Sequence, residues 1–339
     1  MALDLSYIGS FQRGLLYRSE NPLEEVWTQI ARVGTPEYAS SLKPVTPGID
    51  WNKHTNYASV RIRQSVELRN AGRNSTLLTR PITLYYSFLN LLRACMALAP
   101  EVIGPPHHGL EYRKNDQLLL NEAKLVPGTF TAYLDSLKLP WKAGQVLSLQ
   151  SCLSQIPEIA AEFNSPERGR TNVVSVSVEA KMGSNTVRLH FNSKSVDEAQ
   201  FRSAWTTDYP NLKNLCELGE KGTILKVRQE HQPKDYSDVC SICEKYLLNR
   251  LAWSEDALWH ALRHTEGQLI LSRAGYYFVA VFILGSLARY QPELLQSALR
   301  SGTEMEWFFD RFMRTAERFF PQLMFSWLHG GTETYFPGY

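Results

Sequence analysis

Catalytic signatures are what this 339-residue chain most lacks. It contains no GxxxxGK[ST] phosphate loop, no GxGxxG turn after a strand, no GxSxG elbow and no HExxH helix. P-loop hydrolysis, dinucleotide chemistry on a Rossmann turn, α/β-hydrolase acyl transfer and zincin proteolysis are therefore excluded as readings. Internal repeats and low-complexity tracts are missing too, which excludes a solenoid. Cysteine is scarce and odd in number: Cys95, Cys152, Cys216, Cys240 and Cys243. The opening MALDLSYIGSF has neither a basic stretch nor a long apolar one. Together these point to reduced thiols in a cytoplasm. Cys240 and Cys243 form a lone CxxC, and neither His231 nor His260 stands at zinc-finger spacing from it. Its surroundings, DYSDVCSICEKYLLNRL, read as a helix rather than a redox turn after a strand, so the cysteines are read as structural and no metal or cofactor is expected. Long apolar runs are also lacking. Ala274–Ala288 offers about fifteen residues against the roughly 20 a bilayer requires, so a buried helix is expected and no membrane.

Acid is scarce in one place. Between Lys53 and Arg93 stand seven basic residues (Lys53, Arg61, Arg63, Arg69, Arg73, Arg80, Arg93) and a single acid, Glu67, although the whole chain carries a formal charge of only +2. The apolar supply is otherwise that of a globular protein, with 44% hydrophobic and 12% aromatic residues to build a core.

Periodicity organises the chain as follows. Asn21 and Pro22 supply helix-start chemistry for EEVWTQIARV, and the Pro44, Pro47, Gly48 cluster reads as a loop. A helix is expected from about 56 to 71, because Ala58, Ile62 and Val66 recur every four residues. Gly72–Ser75 breaks it, and Pro81 suits the first turn of a second helix with the stripe Leu84, Phe88, Leu91, Cys95, Leu98. The two form a helical hairpin. Residues 111–150 carry strand-like pieces, QLLLNEAKLV and TFTAYLDSL, and 147–163 reads as helical with an interruption at Pro157. VVSVSVEA and TVRLHF alternate on either side of Gly183-Ser184-Asn185, a β-hairpin, and GTILKVRQ is a further strand. Helices are then expected near 236–251, 254–265, 268–290, 292–300 and 303–328. The fold class is α+β: mostly helical, with an N-terminal helical hairpin, a small central antiparallel β region and a C-terminal helical bundle. Three segments follow: 1–110, 111–232 and 233–339, the last expected to pack with the first.

Several of these pieces resemble the YaaC-like family of bacterial proteins. They are Leu77-Leu78-Thr79-Arg80-Pro81 with Leu84-Tyr85-Tyr86-Ser87 and Asn90-Leu91, the His108-Gly109-Leu110 loop, and Phe282 to Tyr290 with Pro292-Glu293 after it. The resemblance implies the fold and a bacterial origin. It carries no activity.

Two places can hold chemistry. Thr83, Tyr86, Asn90 and Arg93 fall at i, i+3, i+7 and i+10, a polar line beside the apolar stripe, with Arg80 at the helix start. Arginine offers a planar donor fork, and Tyr and Asn add directional groups, so the line suits a phosphate or a base edge; a buried network satisfied internally is the other reading. Arg61, Arg63, Arg69 and Arg73 either extend that positive surface or form a solvated helix face. His108, in a Gly/Pro-framed loop, is the candidate general acid or base, or else simply pins the loop. Glu158 and Glu162, and His260 with His264, have no third partner that would make a metal set. Trp307–Phe320 reads as core or a partner-binding helix whose arginines lie on its wet side.

An arginine-faced hairpin invites comparison with HEPN ribonucleases, in which an Arg precedes a His by four to six residues. None of the eight histidines (54, 107, 108, 190, 231, 260, 264, 329) has an Arg at that distance ahead of it. The sequence therefore leads first to a binding or partner protein, with an enzyme left open. Arg61, Arg63, Arg80, Tyr86, Asn90, Arg93 and His108 are its expected ligand-binding residues. The expected ligand is a nucleotide, nucleic acid or acidic protein surface, with a protein partner or self-association beside it. Membership of a multi-protein phage-defence system is part of that expectation. The alternative is an RNA- or nucleotide-processing effector.

Overall fold

The computed structural model describes residues 6–8, 15–42, 46–99, 101–181, 186–192, 196–250, 258–264, 269–300, 302–330 and 334–336. The chain forms two compact units, 1–14 with 169–268 and 15–168 with 269–339. The class is α+β.

The larger unit is built on helices α1 (Pro22–Val33), α2 (Pro36–Ser41), α3 (Trp51–Arg73) and α4 (Arg80–Leu98). Asn21 caps α1 as expected, its side chain accepting from the Glu24 amide. α3 and α4 are the expected hairpin, and α4 starts on Arg80–Pro81. Leu84, Phe88, Leu91, Cys95 and Leu98 of its stripe are all buried. A three-stranded antiparallel sheet follows, from β3 (Leu110–Arg113), β4 (Glu122–Leu125) and β5 (Val146–Ser148). Between β4 and β5 lies α5 (Thr129–Ser136), which corrects the strand-like reading of TFTAYLDSL. Its start is fixed by the Thr131 hydroxyl, which accepts from the Gly128 amide, and Phe130 stacks on Phe278 at 5.2 Å. Tertiary packing here overrides β propensity. The 147–163 region breaks into α6 (Leu149–Leu153), a 3-10 turn and α7 (Ala160–Phe163).

The same unit ends on α10 (Arg273–Tyr290), α11 (Pro292–Ala298) and α12 (Glu304–Leu328), and β12 (Thr334–Tyr335) pairs in parallel with β2 (Leu15–Leu16). α10 is buried from Ala274 to Leu287, as the apolar run requires. Gly285 lets it approach α4: a Cβ there would lie 3.1 Å from the Pro81 carbonyl oxygen. Phe88 of α4 and Phe320 of α12 stack at 4.1 Å. Among the described residues no single helix is long and apolar enough to cross a membrane.

The smaller unit is a seven-stranded sheet. β6 (Val173–Lys181) and β7 (Thr186–Phe191) form the expected hairpin, in register Val176↔Phe191 through Lys181↔Thr186. The proposed turn residues 183–185 lie outside the described residues. The sheet continues through β9 (Ile224–Val227) to β8 (Cys216–Leu218) on one side. On the other side of β6 lie β11 (Leu258–Leu262), then β10 (Leu248–Arg250), with β1 (Ser6–Ile8) also against β6. Expected helices over 236–251 and 254–265 are thus corrected: α9 (Tyr236–Tyr246) stops short, and strands β10 and β11 follow, with 251–257 outside the described residues. Trp259 and Ala261 alternate inward against the sheet core, which suits a strand. His260 and His264 consequently share no helix face. α8 (Glu198–Asp208) packs Phe201 and Trp205 into the same core, and Cys240 and Cys243 of α9 are buried there. Burial pushes the Cys243 thiol up. That is the environment of a packing residue rather than a nucleophile.

Candidate binding cleft of the larger unit

Helices α3 and α4 leave a cleft of about 620 Å³ between them, closed at one side by the loop that precedes β3. Arg61, Gln64, Glu67, Leu68 and Ala71 line it from α3, Tyr86, Leu89, Asn90 and Arg93 from α4, and His108 from the loop. Helical spacing explains the selection. Positions 61, 64, 68 and 71 recur every three or four residues on α3, and 86, 89, 90 and 93 fall at i, i+3, i+4 and i+7 on α4.

Arg61, Asn90, Arg93 and His108 are each positioned by a named partner. Arg61 donates through Nη1 to the Asn90 Oδ1 at 3.0 Å and to Gln64 Oε1 at 3.2 Å, with its guanidinium 5.1 Å from the Tyr57 ring centre. The Asn90 amide nitrogen donates to the Tyr86 carbonyl at 2.9 Å, which leaves its oxygen toward Arg61. Arg93 reaches the loop, donating to the Pro106 carbonyl at 2.5 Å and to Thr129 Oγ1 at 3.3 Å. Burial holds its pKa below the usual guanidinium value, and nearby Arg61 adds to the effect.

His108 owes its place to that loop. The Thr129 and Phe130 amides donate to the His107 and His108 carbonyls at 2.8 and 2.9 Å, and Gly109 turns the chain at a φ of +88°. Its Nδ1 lies 2.8 Å from the Tyr85 hydroxyl. Tyr85 is fully buried, and burial raises its pKa, so the phenol stays protonated and needs an acceptor. Nδ1 supplies one, which puts the imidazole proton on Nε2 as a donor. Burial lowers the pKa of His108, and the Arg93 and Arg289 guanidiniums repel a second proton, so the ring is neutral at pH 7. In the opposite tautomer Nδ1–H donates to the Tyr85 oxygen and Nε2 presents a lone pair.

Of the seven residues picked out on the sequence, the cleft brings together Arg61, Tyr86, Asn90, Arg93 and His108. Arg63 is exposed and lies outside it. Arg80 also lies outside. Its guanidinium holds the buried Glu317 at 2.5 Å and reaches Asp310 at 3.6 Å, while Arg69 holds the other Glu317 oxygen at 2.7 Å. Arg69 continues to Glu24 at 2.6 Å, and Arg73 joins it at 2.9 Å. Arg80 thus fits the internal-network reading, Arg69 is corrected from a surface or solvated position to a buried member of that network, and Arg73 is exposed and pairs with Glu24. Neither Glu317 nor Arg318 lies on a wet side of α12, both being buried. Glu158 and Glu162 form no metal set either. Tyr277 and Arg273 hold Glu158, and Arg311 holds Glu162. Among the described residues no three His, Cys, Asp or Glu side chains are grouped as a cation would need.

Two contributors escaped the sequence reading. Tyr85, masked by its place in an apolar run, orients His108. Arg289, in the last turn of α10, donates to the Tyr86 hydroxyl at 3.1 Å and brings a third guanidinium to the cleft rim. A basic residue ending the apolar run Ala274–Ala288 was the available signal.

The model of the YaaC-like protein family matches residues 36–328. The chain belongs to this family. The match takes in α3, α4, the His108 loop and α10, so every part of the cleft lies within the family region. No curated protein and no solved structure matches the chain.

Proposed function

We propose that the α3–α4 cleft binds an anionic ligand and that the chain acts as a binding protein in the cytoplasm. The observation that carries this reading is the convergence of Arg61, Arg93 and the Nε2 donor of His108 on one cleft, against the single carboxylate of Glu67. Arginine pairs recognise phosphate oxygens by charge-assisted bonds, and a neutral imidazole N–H adds a directional donor. The burial of all five cysteines as free thiols suits a reducing compartment. An acidic surface on a partner, or a second copy of the chain, offers the same charges as a phosphate and remains within the reading. A place in a multi-protein defence system is an expectation on which no cleft residue bears.

Thermal shift tests the proposal. Pyrophosphate at a hundred times its Kd adds about 2.7 kcal/mol to folding stability. Wild type is expected to show that saturable rise and Arg61→Ala to lose it at an unchanged starting Tm. A rise of the same size in both proteins places the anion elsewhere.

One observation favours a second reading, that of an effector acting on RNA or nucleotides. His108 is neutral at pH 7, and in the tautomer whose Nδ1–H donates to the Tyr85 oxygen its Nε2 lone pair is free, which is what a general base needs. Turnover of RNA or a nucleotide that disappears in His108→Ala supports it, and turnover no greater than that of the variant removes it.

A further inference from the structure

We infer that the ligand is a nucleotide unit, its phosphate in the α3–α4 cleft and its base against a second hollow of about 470 Å³ lined by Tyr112, Lys114 and Tyr290. The inference rests on the anion reading of the cleft.

Tyr290 is 63% exposed, whereas Tyr85, Tyr133, Tyr276 and Tyr277 of the same unit are buried. It is nevertheless held in place. Its ring lies near-parallel to that of Tyr112, 23° apart with centres 6.0 Å away, and the Arg289 guanidinium stands 5.0 Å from its centre. Tyr112 cannot swing aside. Its hydroxyl meets Asn121 Oδ1 at 2.6 Å and Gln291 Oε1 at 2.5 Å, and Asn121 is buried with its amide donating to three backbone carbonyls. The exposed Tyr290 ring, held near-parallel to a half-buried and anchored Tyr112, is a preorganised platform for a flat aromatic group, because little side-chain freedom remains to be lost on stacking.

Arg289 joins the two hollows. One side chain stands over Tyr290 and donates to Tyr86, which lines the cleft. A ligand that follows it meets guanidiniums at one end and aromatic rings at the other, with the Lys114 ammonium beside the rings and no acid lining their hollow. Inorganic phosphate or a sugar phosphate uses only the first half. The Asp and Glu side chains of an acidic peptide bring no aromatic ring to the second. A nucleotide uses both, and stacking accepts any base, so little base preference is expected.

The test measures affinity for inorganic pyrophosphate, ADP, and 12-nucleotide single-stranded RNA and DNA in wild type, Tyr290→Ala and Tyr290→Phe. ADP is expected to bind about tenfold more tightly than pyrophosphate, a difference of about 1.4 kcal/mol. Tyr290→Ala should lose that advantage with pyrophosphate affinity unchanged, and Tyr290→Phe should keep it. Oligonucleotides binding more tightly than ADP identify a strand as the source; equal affinity identifies the free nucleotide. Pyrophosphate binding with no gain for ADP, or a gain that survives Tyr290→Ala, overturns the platform and leaves the anion cleft standing. Absence of binding by every probe overturns both.

Discussion

Arg61 of α3 donates to Asn90 of α4 at 3.0 Å across the mouth of the cleft. The bond fixes one guanidinium edge and leaves the rest of the fork for a ligand. Asn90 is itself held, because its amide nitrogen is spent on the Tyr86 carbonyl. Replacing Asn90 by Leu therefore removes the acceptor that orients Arg61 without removing the charge. Anion affinity is expected to fall by about 1 kcal/mol, the worth of one such bond, read as a roughly fivefold rise in Kd. A Kd equal to wild type denies Asn90 that role.

The Glu317 network predicts stability rather than binding. Arg69 and Arg80 hold its two oxygens, and the Trp27 indole donates to its backbone carbonyl at 3.0 Å, so α1, α3, α4 and α12 meet at one buried carboxylate. Arg69→Ala leaves part of that charge uncompensated in the interior and should cost about 3–5 kcal/mol in denaturant unfolding. Arg80, more exposed, should cost less. In both variants pyrophosphate affinity stays as in wild type when measured well below the unfolding transition. Loss of affinity without loss of stability contradicts the assignment of Arg80 to the network.

Arg93 has two duties, and they separate. Its bonds to Pro106 and Thr129 tie the His108 loop to α4. Arg93→Lys keeps a charge but not the fork. Faster hydrogen exchange at the Thr129 and Phe130 amides, which bond that loop, is the expected result. Unchanged protection would show that the backbone bonds alone hold the loop.

Protonation of His108 gives a pH dependence whose sign is fixed. Burial first, then repulsion from Arg93 and Arg289, put its folded pKa below the unfolded value of about 6.5. The unfolded chain therefore binds the extra proton, so its contribution to stability is present above about pH 6.5 and lost as pH falls through the window below it. His264 shifts in the same direction by burial, so the His108 share is read by difference. His108→Gln should flatten the fall in Tm between about pH 7 and pH 5. An anion beside the ring favours the imidazolium, so affinity for sulfate, whose charge is constant here, should rise as pH falls in wild type and rise less in His108→Gln. Parallel slopes in the two proteins would remove His108 from the cleft's chemistry.

Local signals carried much of this architecture. Asn21, Pro81 and the five-residue stripe of α4 are statements about neighbouring residues, and the structure keeps them. The hairpin of β6 and β7 was legible for the same reason, since alternation is local. TFTAYLDSL and 254–265 failed because their state is decided at a distance: Phe130 packs on Phe278 far along the chain, and β11 exists because β6 offers it a partner. The cleft was legible in the same measure. Spacing on α4 placed Tyr86, Asn90 and Arg93 together, but charge alone did not distinguish Arg61, which faces the cleft, from Arg80, which is turned to Glu317 on a helix more than two hundred residues later. Arg289 stood out as a basic residue ending an apolar helix, but only folding brings α10 beside α4 and so assigns it to the cleft.

Calorimetric titration of pyrophosphate into wild type, Arg61→Glu and Arg63→Glu tests the central claim most directly. Both substitutions change the net charge equally on the same helix, and only Arg61 lines the cleft. The account predicts saturable one-to-one binding that Arg61→Glu abolishes and Arg63→Glu leaves within about twofold, since an exposed charge outside the site contributes only a screened long-range term. Equal weakening by the two substitutions, or no saturable binding to wild type, would contradict it.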